Sequence, residues 1–332
     1  MTLATLARTF EPSLERGRFL DRSVHEDLLG SLRHIAEATV QTPIPHVLAP
    51  VLARLERGQR LPPEAFGLYF ELGQRLLERD VDRAIGAATL LARCEPRRGG
   101  LRVMARGSEQ AAGLDSVFNL RLGREAEVFA PVTHEEAEGF AVRLHEGLEL
   151  LRQGLPGLHG EITAFLSHVI VAQAPQGAAM EFDGASHYQF WGLLLLNPRH
   201  HRNRLAVAEV LAHESGHSIL FGMTRDEPLV YNPDDELFVS PLRVDPRPMD
   251  GILHATYVSA RMAWTMEALA DSGVLTPEEE AQARAAAQTD RENFHKGLGT
   301  VRAHGQLSGL GQAVIDAAEQ WMEATSAQAA VS

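Results

Sequence analysis

Leu211-Ala212-His213-Glu214-Ser215-Gly216-His217-Ser218-Ile219-Leu220 decides how this chain is read. Two imidazoles stand four residues apart, with a carboxylate beside the first. On a helix, His213 and His217 lie one turn apart on one face and can share one metal ion. The flanks support a helix. Leu205, Val207, Val210, Leu211, Ile219 and Leu220 repeat at roughly 3.6 residues. Asn203 suits the N-cap and Gly222 the stop. A helix carrying two ordinary histidines is the competing reading. The supporting flanks and a candidate third ligand downstream weigh against it.

Composition narrows the classes. The chain has 332 residues and 45% hydrophobic content, enough to bury a sizeable core. Its net charge of −13, with no basic run, argues against nucleic acid and against anionic membrane surfaces. Cys94 is the single cysteine, so neither an intrachain disulfide nor a thiolate cluster can form. The first residues lack a signal-peptide layout, and no apolar run is long enough to span a bilayer. A cytoplasmic location is the expectation.

Periodicity predicts helices over residues 24–40, 47–57, 63–79, 81–93 and 134–151. More follow over 251–272, from Pro277 onward, and over 311–324. Leu101–Met104 reads as a short strand, while 114–129 fits either helix or strand. Between residues 160 and 197 the runs Ile162–Ala172 and Phe190–Leu196 predict a small antiparallel sheet, broken by turns at Gln176-Gly177 and Asp183-Gly184. Asp226–Asp250 reads as a long loop, of the kind that often serves as a lid or a binding loop. The expected fold class is α+β: mainly helical, with the small antiparallel sheet packed on a zincin-like HExxH helix. Residues 1–158 would form a helical N-terminal region and 159–332 a metal-binding catalytic region, unless the two are one continuous domain.

Catalytic zinc and non-haem iron sites take three protein ligands and leave positions open. A third histidine six residues past the second is absent, because Met223 stands there. Two distant candidates remain open. His254 begins the helix after the loop. Glu267 lies in a Glu-x-x-x-Asp segment of the kind that supplies the third ligand in one class of zinc peptidases. An ordinary surface carboxylate is the bland reading of Glu267, and a capped or core imidazole that of His254.

The segment around His213 and the run Asp245-Pro246-Arg247-Pro248-Met249-Asp250-Gly251-Ile252-Leu253-His254-Ala255-Thr256-Tyr257 belong together. Their pairing resembles the HExxH-motif peptide-modification proteins encoded beside ribosomal peptide natural-product precursors. The resemblance covers roughly residues 160–270. It implies an iron(II)- and 2-oxoglutarate-dependent β-hydroxylase acting on a precursor peptide. It also implies His213, His217 and His254 as metal ligands. A tris-histidine set departs from the usual two-histidine, one-carboxylate arrangement of iron oxygenases.

Under that reading 2-oxoglutarate needs an arginine for its distal carboxylate. Arg261, seven residues after His254, falls on the same helical face about 10 Å away. Arg247 and Arg243 are runners-up. A surface or salt-bridged Arg261 and a loop-fixing Arg247 are the plainer readings. Glu214 would serve the site from behind a ligand. In the alternative, a zinc metallopeptidase, Glu214 is the general base on water. Tyr231, Tyr257 or His187 would then stabilise the oxyanion, and the Phe190–Leu196 strand would pair with an extended peptide. A non-catalytic, metal-containing peptide-binding module is the third reading.

Overall fold

The computed structural model describes residues 2–178, 181–242 and 245–329. Twelve helices and six short strands follow one another among them. They are α1 (Leu3–Ala7), α2 (Leu14–Ala38), α3 (Ile44–Glu56), α4 (Pro63–Leu77), α5 (Val81–Arg93), β1 (Arg102–Ala105), α6 (Ala112–Leu122), α7 (His134–Gly154) and α8 (Pro156–Phe165). The rest are β2 (His168–Val171), β3 (Gly184–Ala185), β4 (Leu193–Leu196), α9 (Arg204–Met223), β5 (Leu237–Phe238), β6 (Arg247–Pro248), α10 (Met249–Asp271), α11 (Pro277–His304) and α12 (Gly309–Ala329). The chain is α+β and mainly helical. None of these helices is long and apolar enough to cross a membrane.

Two compact units form, interleaved along the chain. One takes residues 1–19, 143–162 and 203–332, and the other takes 20–142 and 163–202. The expected division after residue 158 falls inside α8, and three unit boundaries lie within helices α2, α7 and α8.

The second unit holds the sheet, in the order β1-β2-β4-β3. Its three longer strands run parallel, and only the two-residue β3 is antiparallel. The antiparallel sheet expected from the sequence is therefore corrected. Parallel strands are buried on both faces and lose the alternation of half-exposed ones. Every residue of β2 and of the Leu193–Leu196 run is buried. β4 also lies between β2 and β3, so it has no open edge for an added peptide strand. Residues 162–165 belong to α8, not to a strand. Leu158, Ile162 and Phe165 are all buried and share one face at helical spacing.

A buried polar knot ties this unit. Asp21 of α2 accepts from Arg97, Arg60 and the Trp191 indole, at 2.6, 3.0 and 3.0 Å. His25, one turn on, accepts the Leu61 N–H at Nε2 (3.0 Å), so its Nδ1–H donates to the Asp21 carbonyl (2.7 Å). A second proton would break the Leu61 bond. Burial, with Arg97 and Arg60 nearby, pushes His25 down to about 4 against the pull of Asp21.

The depressed value has a pH consequence. His25 favours the folded state fully above the ordinary imidazole range, and that contribution is lost as pH falls from about 6.5 toward 4. Within that window it removes about 1.4 kcal/mol of stability per pH unit. NMR titration should find the His25 ring still neutral at about pH 5.5, well below the ordinary imidazole midpoint.

Candidate metal centre

The first unit builds the centre from α9 and α10. The Asn203 side chain caps α9 by accepting the Ala206 N–H at 2.9 Å. The helix is buried almost all round. From Val207 to Met223, only Glu209, His213, His217 and Phe221 are partly open to solvent. They recur every fourth residue, so the two imidazoles lie along the one accessible stripe of a core helix.

Gly216, inside the HExxH motif, sets the distance between the two helices. A Cβ there would stand 2.9 Å from Val258 Cγ1 and 3.0 Å from Arg261 Cδ, both on α10. α10 is itself almost wholly buried, His254 and Arg261 included.

Three imidazoles meet across this approach. His213 Nε2 and His217 Nε2 are 3.1 Å apart, and His217 Nδ1 and His254 Nδ1 are 3.0 Å apart. Ring centroids are separated by 4.9 and 5.3 Å. The trio is a chain with His217 in the middle, and its two neighbours meet opposite nitrogens of that ring. Consistent with this, among the described residues no group of three or more His, Cys, Asp or Glu stands ready to hold a metal ion. The pair fits a metal. Two nitrogens bound to one ion at about 2.1 Å stand roughly 3.0–3.4 Å apart. His254 meets the opposite nitrogen of His217 and so does not share the point where the two Nε2 atoms face each other.

The outer contacts favour the pair. His213 Nδ1 faces the Met262 sulfur of α10 at 3.3 Å. A proton on Nδ1 leaves the Nε2 lone pair for a metal. Burial pulls the His254 pKa below its ordinary value, against Asp250. Glu214 is buried, with Oε1 3.8 Å from His213 Nε2. Asp290 of α11, buried and close enough to Glu209 to feel its charge, is pushed up to about 8. It therefore carries its proton at neutral pH.

The arginines are placed differently from expectation. Arg261 is 1% exposed, and its Nη2 donates to Glu161 Oε1 at 2.8 Å. The side chain is closed off from solvent and its Nη2 is held by Glu161, with only Nη1 buried and without a hydrogen-bond partner among the described residues, which corrects its assignment as anchor for 2-oxoglutarate. Arg247 is partly exposed and pairs with Asp245 at 2.7 Å, as a loop-fixing residue would. Arg243 lies outside the described residues. Glu267 forms a two-pronged ion pair with Arg291 of α11. It stands 13 residues beyond His254, about 20 Å along the helix, and so cannot join the imidazoles. Tyr257 is buried against Phe10. Tyr231 is exposed near Glu227, and His187 belongs to the other unit.

Sequence reasoning missed Met262, Gly216 and Glu161. Gly216 carries a readable signal, a glycine inside an apolar helix, which often marks close helix contact. No protein-family model matches the chain, and no curated protein matches it.

The close approach at Gly216 can be tested against a glycine in open space. Gly216→Ala should cost about 1–3 kcal/mol through overpacking. Gly299→Ala, where nothing lies within 4 Å of the added carbon, should gain about 0.5–1 kcal/mol. Thermal melts of the two variants should move in opposite directions.

Proposed function

We propose that this chain is a metal-dependent enzyme acting on a peptide. The reaction we assign is Fe(II)/2-oxoglutarate-dependent β-hydroxylation of a side chain in a ribosomally made peptide. The observation that carries the metal part is the 3.1 Å separation of the His213 and His217 Nε2 atoms on the accessible stripe of a core helix. The choice of reaction rests on the resemblance of residues 211–217 and 245–257 to the HExxH-motif peptide-modification proteins.

His213 and His217 would hold the ion through Nε2, with His254 as third ligand after one ring turns. Iron(II) with 2-oxoglutarate and dioxygen supplies an oxidant strong enough for a C–H bond, and the balanced products are hydroxylated peptide, succinate and carbon dioxide. The chain's own residues do the positioning. Met262 holds the His213 tautomer. The buried Glu214 carboxylate offsets positive charge beside His213. With Arg261 engaged by Glu161, Arg247 is the remaining candidate among the described residues for the distal carboxylate of 2-oxoglutarate. A cytoplasmic setting and a precursor peptide as partner belong to the same proposal.

A zinc metallopeptidase is the second reading, favoured by one observation. The Glu214 carboxylate stands 3.8 Å from the metal-facing nitrogen of His213. From there it could take a proton from the attacking water. The zincin-like laying of a sheet on α9 belongs to this reading.

Glu214→Gln separates the two. Under the oxygenase reading the variant keeps a substantial part of its peptide-dependent succinate formation. Under the peptidase reading cleavage falls about 100-fold or more, to the extent a general base contributes. Anaerobic iron loading, followed by peptide, 2-oxoglutarate and oxygen, should yield succinate in step with a 16-dalton gain on the peptide. Metal uptake with no succinate and no cleavage would leave only a binding module.

His254→Ala checks the third ligand separately. Metal analysis of the purified variant should find occupancy lost or severely reduced. Full occupancy would remove His254 from the ligand set.

A further inference from the structure

Beneath the imidazole pair lies a group of charges that the proposed chemistry does not use. Glu161 of α8 is completely buried and takes two guanidiniums, Arg16 of α2 and Arg261 of α10. It also accepts the Ser13 backbone N–H at 3.2 Å. All three charged side chains belong to the first unit. Burial alone would raise the Glu161 carboxyl, but the two guanidiniums outweigh it and hold the group ionised.

Such a cluster is costly, and apolar side chains of similar volume often serve stability as well or better. A guanidinium differs from an apolar filler in its fixed, directional N–H groups. Besides its bond to Glu161, Arg261 turns two of them to α9. Its Nε points to the Ala212 carbonyl at 3.4 Å, and its Nη2 also reaches Ser215 Oγ at 3.4 Å. Gly216 leaves room for the same side chain, because a Cβ there would lie 3.2 Å from Arg261 Nε. Ala212 directly precedes His213, and Ser215 and Gly216 stand between the two histidines. The next residue, Met262, meets the His213 ring. Arg16, on the other side of Glu161, donates instead to the carbonyls of Thr9 and Phe10.

We propose that Arg261, held by Glu161, is a positioning residue for the metal centre: its guanidinium fixes the α9 backbone around Ala212–Gly216 and thereby the spacing of His213 and His217. This rests on the metal reading above. Arg16 shares the carboxylate and donates to the carbonyls of Thr9 and Phe10 rather than to α9, so it serves as the built-in control. The two arginines separate a role in the site from a role in the fold.

The experiment is a cobalt(II) titration of the full chain, followed by visible absorption, for the wild type, Arg261→Lys and Arg16→Lys. Each lysine keeps a charge near Glu161 and removes the fork. Arg261→Lys should bind cobalt(II) about 10- to 100-fold more weakly, the size of effect expected from a partner behind the ligands. Its absorption band should also shift. Arg16→Lys should melt at a lower temperature than the wild type yet bind cobalt(II) as the wild type does. If Arg261→Lys does not fold, Gly216→Ala takes its place, since the added carbon presses on the same guanidinium and should weaken cobalt(II) binding too. Equal affinities in all variants, or equal losses for both lysine variants, overturn the inference. A wild type that takes up no cobalt(II) overturns the metal reading itself, and the inference with it.

Discussion

The close passage of α9 along α10 is the constraint on which the rest of the first unit depends. Gly216 permits it, Val258 and Arg261 fill it, and His217 meets His254 across it. Two helices that approach this closely exclude water from their shared face and leave polar groups there only if they are paired. Most polar atoms of that face are accordingly engaged, the buried Arg261 Nη1 excepted. Arg261 goes to Glu161, His213 Nδ1 goes to Met262, and His217 Nδ1 goes to His254. The two nitrogens left facing each other are the Nε2 atoms on the open stripe. Solvent reaches α9 there because from Val207 to Met223 the other directions around the helix are closed by packing.

Much of this was legible in the sequence, and the reasons are local. The cap at Asn203, the apolar repeat on both sides of His213 and the spacing of the histidines are contained within α9. α5 and α7 were equally readable: the expected 81–93 matches α5, and 134–151 falls within α7. Strand direction was not legible. β1, β2 and β4 pair across long stretches of chain, and a short apolar run is compatible with either direction. The unbroken apolar character of Leu193–Leu196 was the available hint.

The fate of Arg261 shows a different limit. Helical spacing placed it correctly on the face of His254, two turns away. Spacing says nothing of what stands opposite, and Glu161 lies a hundred positions earlier in the chain. Buried charge pairs between distant segments leave no periodic trace. The same holds for Glu267, whose partner Arg291 sits on the next helix. Residues read as ligands from a motif alone therefore need their competitors found before a role is assigned.

The interleaving of the two units bears on how the molecule is made. The unit carrying the imidazoles is closed by its own ends: α1 packs on α12, and Phe10 stacks on Trp321 at 5.3 Å. The other unit is complete in sequence by residue 202. During synthesis, the sheet-bearing unit can condense while α9 to α12 are still being added. The unit carrying the imidazoles waits for α12 to be made, and then joins partners separated by some three hundred positions. Such late, non-local closure is slow. Until it happens, α1 and Phe10 lack their cover from α12, while α9 and α10, neighbours in the chain, can already pack on each other.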